Sequence, residues 1–569
     1  MHKQFFRKIR KRIKKKSRNI DPEDIFLDSA NLPGFSGHRL EGRIEMPIND
    51  STFFILKAVL LIVLVLFSVK LWNLQIVQGE EFTKISENNR LAHTLIFANR
   101  GLIYDRNYLE LATNAIKEGD VDFASRLYAP YQGLSHVVGY VKYPSKDSSG
   151  YYYEEAYRGQ SGVEKVYDEV LSGKNGLKIT ETDALNNVTS ESVIEKPKDG
   201  QDLVLSVDAL LTQELSKAIE HVAETRDFSG GAGVIMDVNT GEILALTSYP
   251  GYDQNVVTQG QDKAVINALF NSPDEPFLDR AVSGLYTPGS IVKPIMALAA
   301  LHEKVIDPNK QILSTGSISI PNPYDPSKPS VFRDWKALGW VDMRDALAMS
   351  SDVYFYAVGG GFEDQKGLGI KNIDRYYEMF GLTEKTGIDL PGENSGVIPS
   401  PEWKKENFDG EPWRLGDTYI TSIGQYGTQV TALEAVRWAA AVANSGTLLV
   451  PSVLLGGKPP SERIFRKINL PEDEWRIVRE GMLQGVDSGI VTALKTPAVK
   501  IAAKTGTAEL GVSKQLVNSW STGFFPYDHP HYAFAVIMEK GDRNNTVGAT
   551  YAMQEVVNWM TINSPQYFK

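Results

Sequence analysis

Residues Lys500–Leu510 read KIAAKTGTAEL. A short apolar run predicts a strand, and Lys504, Thr505 and Gly506 follow on it. The same tripeptide recurs at Lys385-Thr386-Gly387, within FGLTEKTGIDLPGE, so which copy is a site must be decided. Working outward, YAFAVIM (532–538) predicts a second strand, and VNSWSTGFFP (517–526) reads as the link between the two. GGAGVIMDVNTGEILALTSYP (230–250) predicts a hairpin: VIMDV, a turn at Asn239-Thr240-Gly241, then EILALTSY. TALEAVRWAAAVANSG (431–446) predicts a buried helix with Gly446 near its end. A sheet with helices packed on it is the simplest architecture.

The chain around these elements has 569 residues, more than one core accommodates, so several domains are expected. The absence of cysteine excludes disulfides, thiolate catalysis and cysteine-based zinc sites. A net charge of -10 argues against nucleic acid as the main partner.

Charge is unevenly spread. MHKQFFRKIRKRIKKKSRN, at the N-terminus, is densely basic and contains no acid. Downstream, from about Phe53 to Leu74, lies the one long apolar run, which as a helix crosses roughly 30 Å of hydrocarbon. Lys57 and Lys70 lie toward its two ends, where each ammonium can snorkel to an interface, and Trp72 suits the aromatic belt. A cleaved signal peptide is the competing reading. About fifty residues precede the run and no small-residue cleavage site follows, so an uncleaved anchor is favoured. The basic tail then remains in the cytoplasm and the rest of the chain lies outside. The expected domains are a tail at 1–50, an anchor at 51–75, a charged, turn-rich region at 76–228, and the sheet-and-helix region at 229–569.

The candidate nucleophile lies in LYTPGSIVKPIMALAALHE (285–303). Thr287-Pro288-Gly289 predicts a turn, and Ser290 opens an apolar helix bearing Ile295, Met296, Leu298 and Leu301. Ser290 and Lys293, three apart, share a helix face. For an arbitrary pair of this kind, an N-cap serine followed by a surface lysine is the ordinary reading. Here the lysine sits among apolar residues, and desolvation favours the neutral amine that a weak alcohol nucleophile needs as its base. No other serine in the chain has a lysine three residues later. MRDALAMSSDVYFYAVGG (343–360) adds Ser350-Ser351-Asp352, which is either a helix boundary or a hydroxyl for proton relay beside a side-chain acceptor.

S-x-x-K, then S-x-[ND], then K-T-G, in this order, resembles the signature of penicillin-binding proteins and serine β-lactamases. NRGLIYDRNYLELATN, with Arg100, Gly101, Asp105 and Arg106, is similar to the N-terminal signature of class B penicillin-binding proteins. GQSGVEKVYDEVLSGKNG and TGIDLPGE are similar to further landmarks of that class, and SSDVYFY most resembles its elongation type, the penicillin-binding protein 2 group. The resemblance implies an α+β fold: a transpeptidase domain, an antiparallel sheet with helices on both faces, following a mixed pedestal and a single transmembrane helix. It assigns Lys385 to a structural loop and Lys504 to the catalytic strand. Asp352 stands where Asn is commoner, Asn114–His136 is short where many relatives carry a subdomain, and Trp340 replaces a common His, which argues against a metal site near Asp334.

The activity so implied is peptidoglycan D,D-transpeptidation during elongation, without cofactor or metal. Ser290, Lys293, Ser350, Asp352 and Lys504 would form the catalytic set, and Thr505, Gly506 and Thr507 the substrate-binding strand. Lys293 would deprotonate Ser290, and Ser350 would pass a proton to the leaving D-Ala. Lys504, Thr505 and Thr507 would hold the terminal carboxylate, while the backbone N–H groups of Ser290 and Thr507 would form an oxyanion hole, worth about 3–4 kcal/mol per donor. Implied partners are stem peptides (a D-Ala-D-Ala donor and an amine acceptor), β-lactams, a SEDS-family glycosyltransferase and the elongation machinery. A division-type transpeptidase, a β-lactam sensor or β-lactamase, and an idle scaffold are the alternatives.

Overall fold

The computed structural model describes residues 50–83, 91–116, 122–148, 151–182, 188–322, 324–325 and 327–569. The basic segment Met1–Asn19 and part of the short Asn114–His136 segment lie outside the described residues. The chain divides into two units, Met1–Asn89 and Arg90–Lys569.

In the first, α1 (Asp50–Trp72) continues into a π-helical turn, Asn73–Val77. Every side chain of α1 is solvent-exposed, although most are Leu, Val, Ile or Phe. Asp50–Val77 is long and apolar enough to cross a membrane.

The second unit is built on five strands: β1 (Gly230–Asp237), β2 (Ile243–Tyr249), β3 (Ala502–Leu510), β4 (Leu516–Phe525) and β5 (Tyr532–Asp542). They lie in the order β2-β1-β5-β4-β3, antiparallel throughout. The predicted hairpin is β1–β2. The segment 517–526 corrects the sequence reading, because it is no link: it forms β4, hydrogen-bonded on both sides. Its polar and small residues concealed a strand whose Trp520, Phe524 and Phe525 are fully buried. Gly523 has no side chain because the neighbouring strand leaves no room; a Cβ there would lie 2.4 Å from the Ala502 carbonyl oxygen.

Side chains alternate across the sheet, as the two-residue period demands. Val234, Ala535, Ile537 and Ala502 enter one core, and Ile235, Val536, Met538 and Ala503 the other. The second core is closed by α2 (Ala209–Arg226) and a C-terminal helix, Ala549–Asn563. The first holds α3 (Lys293–His302), α4 (Asp352–Gly360) and α5 (Ala432–Ala443), the last being the predicted buried helix. Thr431 and Glu434 start α5 with a reciprocal capping box. Helices therefore cover both faces of an antiparallel sheet.

The 91–205 region carries a three-stranded and a four-stranded sheet. Its landmark residues are structural. Arg100 is buried with Nε 2.6 Å from Glu164, whose other oxygen takes Nε of buried Arg126 at 2.8 Å. Asp105 accepts from Asn107 N, Leu109 N and Ala209 N, and so ties this region to the start of α2. In TGIDLPGE, Glu393 receives the Thr386 hydroxyl and backbone N–H, and Asp389 receives Tyr167 Oη at 2.7 Å and Val453 N at 2.7 Å. Lys385 is exposed. One hydrophobic core runs through both regions, from Ile103 and Val163 to Ala502.

Candidate active site

Ser290 lies in a single 3-10 turn, Gly289–Val292, that leads directly into α3. Residues three apart eclipse in this geometry, so Ser290 and Lys293 stand on one side. Gly289 has φ +57, and a Cβ there would lie 2.9 Å from the Thr507 carbonyl oxygen. A Cβ on Gly506 would lie 2.6 Å from the Pro288 carbonyl oxygen. Two glycines thus let the nucleophile's turn rest against β3. Gly289 N donates to Gly424 O at 2.9 Å, and Trp520 Nε1 to Thr287 O at 3.0 Å, which fixes the turn from both sides.

Lys293 is fully buried in the α3 core, but its Nζ is not in an apolar setting. It donates to Ser350 O (2.8 Å), Ser350 Oγ (3.2 Å) and Asp352 Oδ1 (2.6 Å), with the Phe355 ring 5.4 Å away. Lys504, also fully buried, donates to the same Ser350 Oγ at 2.7 Å and to Thr505 O at 2.8 Å. Ser350 Oγ therefore has both acceptor positions filled by ammonium donors, which turns its own proton away from them. This residue has φ +56, a left-handed conformation that costs a non-glycine residue roughly 1 kcal/mol or more. Four of the residues singled out in the sequence, Lys293, Ser350, Asp352 and Lys504, from three separate segments, thus share one hydrogen-bond network. Ser290, half-buried, stands beside it. Among the described residues, no hydrogen bond joins Ser290 Oγ to Lys293 Nζ.

Burial, reinforced by the Lys293 charge and opposed by Asp352, holds the Lys504 ammonium well below the usual lysine range. Burial pushes the Asp352 carboxyl up, with Asp334 adding to the effect and Lys293 opposing it. On β3, Lys504 and Gly506 face the helices. Thr505 and Thr507 alternate with them, half-buried and exposed respectively. β3 is the outermost strand, so only its β4 side is paired within the sheet.

Asp334 is a residue the sequence reading passed over as a positioning group. Its Oδ2 accepts from Ser351 Oγ (2.8 Å), Val353 N (3.0 Å) and Ser314 Oγ (3.2 Å). It thereby anchors the first turn of α4, where Ser351 is the N-cap and Asp352 the first residue.

Residues 231–558 match the model of the penicillin-binding protein transpeptidase domain, and residues 122–205 that of the penicillin-binding protein dimerisation domain. The peptidoglycan D,D-transpeptidase MrdA of Acinetobacter baumannii is 31% identical over 86% of this chain and 84% of its own. Penicillin-binding protein 2 of Helicobacter pylori, solved in complex with MreC, is 26% identical with a TM-score of 0.66, over 83% of this chain and 98% of that one. A chain from a peptidoglycan synthase complex that coordinates polymerization and crosslinking is 26% identical with a TM-score of 0.70, over 91% of this chain and all of that one. The chain belongs to the penicillin-binding protein transpeptidase family.

Proposed function

We propose that this chain is a membrane-anchored, elongation-type peptidoglycan D,D-transpeptidase. The observation that carries the reading is Ser350 Oγ held between Lys293 and Lys504, beside Ser290 and an outermost β-strand. A D-Ala-D-Ala stem adds to the outer side of β3 by backbone pairing. Ser290 Oγ attacks the penultimate carbonyl as its proton moves to Lys293. The developing oxyanion is met by the N–H groups of Ser290 and Thr507. The C–N bond breaks, Ser350 protonates the departing D-Ala, and the amine of a second stem resolves the acyl-enzyme. Thr505 and Thr507 contact the terminal carboxylate. Lys504, buried on Ser350, holds that proton donor in place.

Residues 51–75 anchor the chain, the N-terminal tail is cytoplasmic, and the remainder is extracytoplasmic. Residues 76–228 are the pedestal and 229–569 the transpeptidase domain. The resemblance to chains solved with MreC and in a synthase complex supports the elongation machinery, with a SEDS-family polymerase, as partners. Incubation with fluorescent penicillin tests the reading. A stable covalent adduct that Ser290→Ala abolishes is expected. Absence of an adduct, or its rapid hydrolysis, would overturn it.

A further inference from the structure

The three acceptors around Lys293 Nζ occupy all three hydrogens of an ammonium. In this arrangement the nitrogen has no lone pair to offer Ser290. One proton must first leave, and of the three acceptors two are a backbone carbonyl and a hydroxyl. The third is the Asp352 carboxylate, at 2.6 Å. We propose that Asp352 is the proton store of the site: it takes a proton from Lys293 so that the amine can act as base, and returns it when the leaving amine is protonated. The proposal rests on the transpeptidase reading above and gives a role to the departure from Asn at this position.

The steps balance. An N–H bond of Lys293 breaks and an O–H bond of Asp352 forms, leaving a neutral amine beside a neutral acid. The Ser290 O–H bond breaks, its proton moves to Lys293, and the Oγ–C bond forms. As the C–N bond breaks, Ser350 gives its proton to the leaving nitrogen, Lys293 refills Ser350, and Asp352 refills Lys293. The net transfer is one proton from Ser290 to the leaving group.

The surroundings favour such a store. The charged or titratable groups facing Asp352 are Lys293 on α3, Lys504 on β3, Asp334 following the strand Ser330–Arg333, and Tyr356 on α4 itself. Asp334 holds the backbone at Val353 and the hydroxyl of Ser351, so Asp352 is fixed against Lys293. Asp334 also lies close enough for its negative charge to oppose a second one, and burial acts in the same direction. An amide here could accept the Lys293 hydrogen bond but not its proton.

With Asp352 present, one proton shared by the pair gives a reactive fraction that does not vary with pH, until acid adds a second proton. With an amide present, Lys293 must lose its proton to solvent. The test is the second-order rate of labelling by fluorescent penicillin from pH 5 to pH 9, on the detergent-solubilised full chain. In Asp352→Asn the acid limb should move to higher pH by about one unit or more, with labelling surviving at alkaline pH at reduced height. Asp352→Glu, which keeps the acid, should leave the limb near its original position. Should Asp352→Asn melt early, Asp352→Ser carries the same expectation. An unmoved or lowered limb in a folded variant, or loss of labelling at every pH, overturns the proposal while the transpeptidase reading stands. Failure of the wild-type chain to label overturns both.

Discussion

Two lysines converge on Ser350 Oγ, and each has a separate consequence. Ser290→Ala removes the nucleophile, so covalent penicillin labelling should vanish. Lys293→Ala should nearly abolish it with the serine intact. Lys504→Ala removes the shorter of the two donors to Ser350 and leaves that buried hydroxyl short of a partner, at about 1–3 kcal/mol, so acylation should slow about tenfold. Lys385→Ala should label normally, because its side chain is exposed and such changes usually cost within about 0.5 kcal/mol. Melting temperatures establish that each variant is folded. Loss of labelling in Lys385→Ala with normal labelling in Lys504→Ala would reverse the assignment. The site was legible where residues form an ordered series, as Ser290, Lys293, Ser350 and Lys504 do. Asp334 was not, since an aspartate after a short strand has no pattern and its partners at Ser314, Ser351 and Val353 become neighbours only on folding. Asp374 offers a pH test away from the site. Burial, with Glu378 and Glu402 adding, raises its carboxyl to about 7, and Oδ1 has no hydrogen-bond partner. A raised carboxylate pKa means the folded state holds the proton more tightly, so stability falls as pH rises from about 4 to about 7 and then levels. Asp374→Asn should melt above the wild type at pH 8, with the gap closing toward pH 4; a gap independent of pH would exclude this cause.

At the level of elements, helices and the hairpin followed from period and turn chemistry, whereas β4 did not. Its Ser521-Thr522-Gly523 run between Trp520 and Phe524 reads as a turn-rich link, whereas the strand is paired on both sides, and tertiary crowding is invisible to propensity. The same crowding makes the seam between the Ser290 turn and β3 brittle. Gly506→Ala introduces a Cβ 2.6 Å from the Pro288 carbonyl oxygen and 3.0 Å from Cγ2 of the fully buried Ile291, so it meets backbone and a branched side chain with little room to yield. Overpacking of this kind typically costs about 1–3 kcal/mol. The turn should shift away from the strand. The expected outcome is a lower melting temperature than the wild type, and slower penicillin acylation than for Gly511→Ala, whose φ of +67 also strains an alanine but whose Cβ meets open space. Equal acylation in the two variants would mean that this seam does not position Ser290.

For the whole molecule, the basic N-terminus before an exposed apolar helix sets the expected orientation. A reporter active only outside the cytoplasm should work when fused after Lys569 and fail when fused near Ile20; activity of the Ile20 fusion would overturn the orientation. A fragment beginning near residue 76 should still be acylated by penicillin, because Ser290, Lys293, Ser350 and Lys504 all lie beyond residue 230. A requirement for the anchor in acylation itself would undo the proposed division.

The unpaired side of β3 has a second consequence. A row of free strand-edge N–H and C=O groups that can receive a short peptide can also receive a strand of another copy of the chain. Here the Pro288–Ile291 turn crosses the strand at Gly506 and Thr507, and Glu509 near the strand's end is paired with Lys514 and Arg543. Charged side chains near the end of an edge strand disfavour pairing with a neighbour, so Glu509 and its two cations sit where they work against self-association through β3.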